Sequence, residues 1–403
     1  MKAPVLVYPP PLEKDAAVLF PLSVICLAGV AQLVEQRTHK PRVGGSIPPS
    51  GIFHFNKWSV MRDLRSDLKA RLEDAAFFRK NDRLLIACSG GPDSVALVHL
   101  FALIAPGNRW KLGILHYDHR LRSASKADAM FVRRLARGLG LAFYGGAGDV
   151  KRAALRTKTS LEEAARKMRY DFFLRTAKRL KVKKVVLAHT LDDQAETVLM
   201  RILQGTGLRG LRGIREVNRM EGVLFIRPLL AYAKSDLLDF LRTAKIGFRR
   251  DESNQSRRFL RNRIRLKLLP ALRRDFNPRI VESLARIPVI ASREIALLDE
   301  LEAGAWKKTF KKHERHKVEL RRGDFLGLPV PIQFRVIERA LKKIDPRSGL
   351  SYEAWERIQK GLSRPRNRWS LPKHIDLTLT PKTMVLYKRN IPGKQDHGEG
   401  NEV

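Results

Sequence analysis

Ser89-Gly-Gly-Pro-Asp-Ser94 puts two hydroxyl residues, two glycines and a carboxylate into six positions. Between a strand and a helix, such a loop lets backbone N–H groups converge on a phosphate, and the positive end of the helix adds to the attraction. Ser89 and Ser94 read as hydroxyl donors, and Gly90, Gly91 and Pro92 as the turn that brings the main chain close. No Gly-Lys-Ser/Thr follows, so this is not a Walker loop. Asp93 is the informative residue. A carboxylate in an anion cradle repels phosphate unless a divalent cation, Mg2+ for preference, sits between them. A glycine-rich turn with a Ser or Asp cap is the plain alternative; the whole six-residue pattern favours a nucleotide.

Asp193 and Glu196 lie three apart at the start of a helical pattern and share one face. Two carboxylates there make a poor phosphate site and a good cradle for an ammonium; one could also take its proton, since only the neutral amine is nucleophilic. A solvated acidic helix start is the alternative. Asp192 is expected as no more than the N-cap. His116-Tyr-Asp-His119 follows a strand; alternation puts His119 opposite His116 and Asp118, which argues against a histidine-rich zinc centre. Arg166 and Arg169 share a helical face and could neutralise transition-state phosphate charge, or simply be surface charges. Arg261, Arg263 and Arg265, beside Asn254 and Asn262, read as a basic stripe for RNA backbone or ATP, with a solvated face as the alternative.

SGGPDS resembles the loop of the PP-loop ATP pyrophosphatases, which cleave ATP between the α and β phosphates to adenylate a substrate. Ordered behind it stand Glu163-Ala-Ala-Arg-Lys-Met-Arg-Tyr170, Ala188-His-Thr-Leu-Asp-Asp-Gln-Ala-Glu-Thr197, Gly205-Thr-Gly-Leu-Arg-Gly-Leu211, Asp251-Glu-Ser-Asn254, Arg261-Asn-Arg-Ile-Arg265 and Leu268-Leu-Pro270. With His116-Tyr-Asp-His-Arg-Leu-Arg122, this set from Leu84 to Pro278 is similar to that of the tRNA(Ile)-lysidine synthetases. The resemblance implies a cytoplasmic enzyme that uses ATP and Mg2+ on tRNA(Ile) with a CAU anticodon. The C2 oxygen of cytidine 34 attacks the ATP α-phosphate, and free L-lysine then displaces AMP at C2. The resulting lysidine pairs with A and changes tRNA identity from methionine to isoleucine. On that reading His189 faces ATP, Asp93 holds the metal, and Asp193 and Glu196 bind lysine. Asp118 meets the target base or metal, and Arg169 acts with Asp118 and Asp93 in catalysis. The oligomeric state is left open, a homodimer included.

The elements that must position these residues are legible in outline. Leu64, Leu68 and Leu72 have helical spacing. Strands are expected at 83–88, 112–116, 141–144 and 184–188, with helices at 95–104, 126–139, 160–180, 192–203 and 234–243; Ser160-Leu-Glu-Glu163 has capping-box spacing. Strands alternating with helices predict a doubly wound parallel α/β sheet, of the adenine-nucleotide alpha-hydrolase-like kind by resemblance, with ligands at the carboxyl ends of its strands. The catalytic domain is read as 61–278, with a boundary near Asn277-Pro278. A basic, mainly helical tRNA-binding region follows at 279–390, helical to about Lys312 and over 332–343, ending in strands between Ile375 and Tyr387. Residues 391–403 are expected to be a disordered tail.

Composition agrees. There are 79 Lys+Arg against 41 Asp+Glu, a formal +38, and a surplus spread along the whole chain points to a polyanion, nucleic acid before membrane. Two cysteines exclude a disulfide scaffold, and they supply no iron–sulfur ligands for a PP-loop tRNA thiolase. Amidotransfer would want an ammonia-producing partner domain, and a non-catalytic RNA binder would not need Asp93 in a phosphate loop. The apolar run Ala16–Ala31 is short for a membrane span and contains Pro21. Residues 29–36 and 43–49 can instead be back-translated into the D-arm and T-arm of a tRNA gene. Residues 1–60 are therefore expected to be such a gene read through in frame, with initiation at Met61, or else a disordered leader.

Overall fold

The fold is taken from a computed structural model of the chain, which describes residues 64–75, 77–120, 125–249 and 259–389. The readings of the leader, the tail and Asp251–Asn254 lie outside the described residues. Helix α1 (Leu64–Asp74) buries Leu68 and Leu72, as its spacing predicts. Strand β1 (Arg83–Ala87) runs Arg-Leu-Leu-Ile-Ala, with no polar residue between its apolar ones, and that pattern suits a strand covered on both faces. Helix α2 (Pro92–Asn108) begins three residues before the predicted Val95. Pro92, with its φ preset and no N–H to lose, fits the first turn, so Asp93 and Ser94 become helical.

Strand β2 (Lys111–Asp118), helix α3 (Ser125–Gly138) and strand β3 (Ala142–Ala147) follow. Helix α4 (Val150–Thr157) was not anticipated; Asp149 starts it by accepting the Arg152 N–H at 3.0 Å. Helix α5 (Leu161–Arg179) is capped by Ser160, whose hydroxyl accepts the Glu163 N–H. Strand β4 (Lys184–Val186) leads into α6 (Leu191–Leu203).

Strands β5 (Val217–Met220) and β6 (Val223–Ile226) form a hairpin whose turn residues, Glu221 and Gly222, both have positive φ. The polar, four-residue β5 carries almost no strand pattern, and a sheet expected to be wholly parallel gains it as an antiparallel edge. The order is β3-β2-β1-β4-β6-β5, with β5 alone antiparallel. Along β1, Leu84 and Ile86 pack with α2, while Leu85 packs on the opposite face with Tyr170, Phe173 and Leu174 of α5. The sheet is doubly wound. The chain departs from β1 in opposite directions, toward β2 and toward β4, so a crevice opens where β1 and β4 end.

Helix α7 (Lys234–Thr243) buries Leu237 and Leu241 in the same core as α2. Helix α8 (Leu260–Arg263), a π-helical turn (Ile264–Leu268) and α9 (Leu269–Asp275) then run on. Helix α10 (Ile280–Thr309) packs along α6, while its Ala305 and Trp306 enter a second core. That second core lies under strands β7 (Phe310–Glu314) and β8 (Lys317–Arg321), helices α11 (Arg322–Leu326), α12 (Val330–Ile344) and α13 (Tyr352–Gly361), and strands β9 (Asn367–Leu371), β10 (Ile375–Leu379) and β11 (Thr383–Lys388). The predicted terminal strands are the β10–β11 hairpin; around it β7, β8 and β9 complete an antiparallel sheet in the order β7-β8-β11-β10-β9. Helix α10 stops at Thr309, short of the predicted Lys312, because Phe310 onward pairs with β8. Among the described residues no helix is long and apolar enough to cross a membrane.

Candidate active site

The loop after β1 is built to hold main-chain groups in place. Gly90 has φ +92°, a backbone conformation that L side chains rarely adopt, so the backbone and not the space around it asks for glycine. Its carbonyl accepts the Arg249 N–H at 2.9 Å. Ser94 is buried, and its one hydroxyl proton goes to Gly91 O at 2.9 Å, while its oxygen accepts the Ser89 N–H at 3.2 Å. In this arrangement Ser94 shapes the loop. Ser89 Oγ lies 3.2 Å from Ser94 Oγ and is the more accessible hydroxyl.

Asp93 stands in the first turn of α2 with Oδ1 buried and without a hydrogen-bond partner. Burial pushes its carboxyl up to about 6; Lys234 opposes the shift and Asp193 adds to it. A desolvated carboxylate oxygen with no donor fits a hard cation. Among the described residues no three His, Cys, Asp or Glu side chains converge as a complete metal site. An unpartnered carboxylate oxygen beside a phosphate loop suits Mg2+, which commonly takes one or two carboxylates and completes its shell with phosphates and water.

The acid pair is in place, and it is already occupied by cations of the chain itself. Thr190 caps α6 in a reciprocal box with Asp193: the Thr190 N–H donates to Asp193 Oδ2 at 3.0 Å, and the Asp193 N–H donates to Thr190 Oγ1 at 3.3 Å. Asp192 is thus not the cap; its Oδ2 accepts the Lys234 N–H at 2.8 Å and fastens the start of α7. Asp193 Oδ1 meets Lys234 Nζ at 3.0 Å and Arg265 Nη2 at 3.3 Å. Glu196, 1% exposed, receives Arg261 Nε at 2.9 Å and Arg265 Nε at 2.6 Å. Burial alone would raise the Asp193 carboxyl, but Lys234, Arg261, His189 and the Thr190 N–H hold it well below the usual carboxylate range. With Lys234 and Arg261 beside it, so acidic a group suits holding an ammonium.

The predicted arginine stripe is divided by this arrangement. Arg261 and Arg265 turn inward onto Glu196 because two buried carboxylates need countercharge, whereas Arg263 is exposed. Arg166 and Arg169 differ as well. The Arg166 guanidinium lies 4.9 Å from the Tyr170 ring centroid; that of Arg169 is desolvated, and burial together with Arg166 and Arg261 lowers its proton affinity.

His189 follows β4. Burial and then Arg227 push its imidazole down to about 3, so it is neutral, with Nδ1 unpartnered. His116 Nδ1 lies 2.9 Å from Cys88 O and its Nε2 is buried without a partner. Asp118 closes β2, where its Oδ1 accepts the Arg120 N–H at 2.7 Å; among the described residues it makes no hydrogen bond or ion pair with the Asp93–Asp193–Glu196 group. His119 packs edge-on against Tyr117, with 5.1 Å between ring centroids.

Two residues at the site were not singled out from sequence. Lys234 Nζ lies 3.0 Å from Asp193, 3.8 Å from Glu196 and 4.0 Å from Asp93, and so joins the phosphate loop to the acid pair. Arg227, 4% exposed at the end of β6, donates to Arg215 O at 2.8 Å and Tyr170 Oη at 3.1 Å, with Nε unpartnered. Their separation in sequence from the acid pair gives no periodic signal. The Arg227-Pro228 break before a helix was the only local cue.

Comparison with known proteins bears on this geometry. Residues 62–272 match the PP-loop domain family ATP_bind_3. The tRNA(Ile)-lysidine synthase of Clostridioides difficile strain 630 is 30% identical over 318 residues, covering 76% of this chain and 68% of the relative. The same-named protein of Geobacter sulfurreducens is 35% identical over 328 residues, covering 79% and 68%. That of Symbiobacterium thermophilum is 38% identical over 278 residues, covering 67% and 57%. The chain thus spans 57–68% of the length of these three relatives.

Proposed function

The chain belongs to the tRNA(Ile)-lysidine synthase family of PP-loop proteins, and on that footing we propose that it joins free L-lysine to C2 of cytidine 34 in the CAU anticodon of tRNA(Ile). In the first step the C2 carbonyl oxygen attacks the α-phosphorus of ATP and pyrophosphate leaves. In the second, the lysine ε-amine forms the C2–N bond, AMP departs with the oxygen, and the amine proton passes to solvent or a basic group.

One observation carries the reading: the phosphate-loop carboxylate Asp93 and the acid pair Asp193/Glu196 meet within one charge cluster, with Lys234 Nζ at 4.0, 3.0 and 3.8 Å from them. An anion-binding loop beside an ammonium cradle suits ATP and lysine held side by side. Ser89 and the N–H groups of Gly90, Gly91 and the start of α2 would hold the phosphates. Asp93 would hold Mg2+, which when bound supplies countercharge to those phosphates. Neutral His189 would offer a hydrogen bond to the nucleotide, and Arg169 would balance charge developing at the α-phosphorus. Asp118, at the end of β2, is assigned to the target base. Residues 279–390 and exposed Arg263 are assigned to the tRNA backbone, consistent with the +38 charge.

Sulfur transfer on tRNA fits less well. Cys88 is buried and desolvation pushes its thiol up to about 11, so it offers little thiolate. The test is nucleoside analysis of unmodified tRNA(Ile) after incubation with the protein, ATP, Mg2+ and radiolabelled lysine. Label appearing in lysidine at position 34 supports the proposal; label absent while pyrophosphate is released would defeat the lysine assignment.

A further inference from the structure

The acid cradle is already filled. Asp193 and Glu196 are met by Lys234, Arg261 and Arg265, all donated by the chain itself. These cations are not equally held. Each arginine reaches both carboxylates through a planar fork, and Arg265 gives Glu196 two bonds, Nε to Oε1 at 2.6 Å and Nη2 to Oε2 at 2.9 Å. Lys234 makes one close contact, to Asp193 Oδ1, and its ammonium is a compact charge on a flexible four-carbon stem.

Its main chain, in contrast, is fixed. The Lys234 N–H is held by Asp192 Oδ2 at 2.8 Å, the Ala233 N–H by Asp236 Oδ2 at 3.0 Å, and α7 is pinned beneath by Leu237 and Leu241. The ammonium can swing while its backbone stays in place, and it already stands 4.0 Å from Asp93 on the phosphate side. In chemical type it is the same group as the ε-ammonium of free lysine.

We propose that Lys234 is an internal occupant of the lysine subsite, and that the phosphates of bound nucleotide draw its ammonium out and admit free lysine. This rests on the reading of Asp193 and Glu196 as the lysine cradle. Three negative charges do not readily accept a fourth cation while three are bound, but a triphosphate beside Asp93 gives Lys234 an alternative partner one side-chain swing away. Lysine and nucleotide are therefore linked: each tightens the other by the same factor. In the absence of nucleotide, free lysine and the internal lysine compete. A lysine bound before ATP would have no activated carbon to attack, so the exclusion imposes the order that the chemistry needs.

The experiment is equilibrium dialysis of radiolabelled L-lysine against the full chain with Mg2+, with and without α,β-methylene-ATP. For the wild type, lysine should bind at least about tenfold more tightly with the analogue, and adenosine, which lacks the phosphates, should give no such gain. Lys234→Met should bind lysine without nucleotide to within about threefold of its affinity with it. An undiminished nucleotide effect in Lys234→Met, or equal enhancement by adenosine and the analogue in the wild type, would overturn the proposal. The adenosine comparison needs no variant, so it decides even if Lys234→Met folds poorly. Glu196→Gln separates the two layers of argument: if it binds lysine as the wild type does under every condition, the cradle itself is misassigned, and the proposal falls with it.

Discussion

Arg322 in the C-terminal region and Arg227 at the edge of the six-stranded sheet are both buried, but their surroundings differ. Arg322 donates to four backbone carbonyls, those of Pro365, Thr380, Leu362 and Arg364, at 2.8–3.1 Å. Arg227 keeps Nε unpartnered beside a neutral histidine. The carboxylates differ in how close their countercharge stands: each has a buried Oδ1 without a hydrogen bond, but Asp376 has Arg368 at 2.6 Å and Arg389 at 3.3 Å, whereas Asp93 has Lys234 at 4.0 Å. Desolvated polar groups are costly when unpartnered, so a fold closes them wherever it can. In the C-terminal region Arg322 is met by four carbonyls and Asp376 by two close cations. Where β1, β4 and β6 end, Asp93 Oδ1, His189 Nδ1 and Arg227 Nε have no hydrogen-bond partner, and on the proposed function a ligand would complete them.

The sharpest way to break this contrast is to alter one open and one closed group. Asp93→Asn keeps the shape of the side chain and removes its charge. Pyrophosphate release with tRNA and ATP should fall by about a thousandfold, worth about 4 kcal/mol of transition-state stabilisation; a loss under tenfold would remove Asp93 from the phosphate site. Arg322→Met should do the reverse. It strands four carbonyls, so the urea midpoint should drop by the equivalent of about 2–3 kcal/mol, with the rate per folded molecule unchanged.

Glu196→Gln tests the group that belongs to both classes, closed by Arg261 and Arg265 and open to substrate by proposal. Withdrawing one buried charge from the network should cost about 2–4 kcal/mol of stability, visible in denaturant melts. Adenylated tRNA should accumulate in the same variant as lysine transfer slows. Equal loss of both half-reactions would assign Glu196 to ATP or to the fold.

A smaller effect sharpens the meaning of an open site. The Asp93 carboxyl holds its proton up to about pH 6 in the folded chain against 3.8 when free, so folding favours the protonated form and loses stability as pH rises through that window. Without metal and nucleotide, Asp93→Asn should therefore be more stable than the wild type at pH 7.5, by about 1–3 kcal/mol, and the gain should shrink toward pH 4. A gain independent of pH would mean that ionisation is not its source. The smallest effect belongs to exposed Arg263: its alanine variant should weaken tRNA binding by less than about fivefold and lower the salt-dependence slope by about one.

Much of the site could be read from the chain. The phosphate loop, the strand before it and the helix after it declare themselves by composition between Arg83 and Ile104, since a glycine turn and an apolar run are local properties. Asp193 and Glu196 share a helical face because periodicity requires it. Strands β5 and β6, helices α4, α8, α9, α11 and α13, and strands β7 to β9 were not expected; short or half-exposed elements owe their form to the neighbour they pair with more than to their own residues.

The sequence by itself determined that a phosphate loop and an acidic helix start each follow a strand of an α/β sheet in a strongly basic chain. Only the tertiary structure decided which cations those acids meet. Lys234 is 38 positions beyond Glu196, and Arg261 and Arg265 come from a separate helix and a π-helical turn, yet all converge on the same carboxylates. No spacing rule reaches that far. Burial makes countercharge necessary, and the packing of α8 and the π turn over α6, with Asp192 fastening the start of α7, determines which residues supply it.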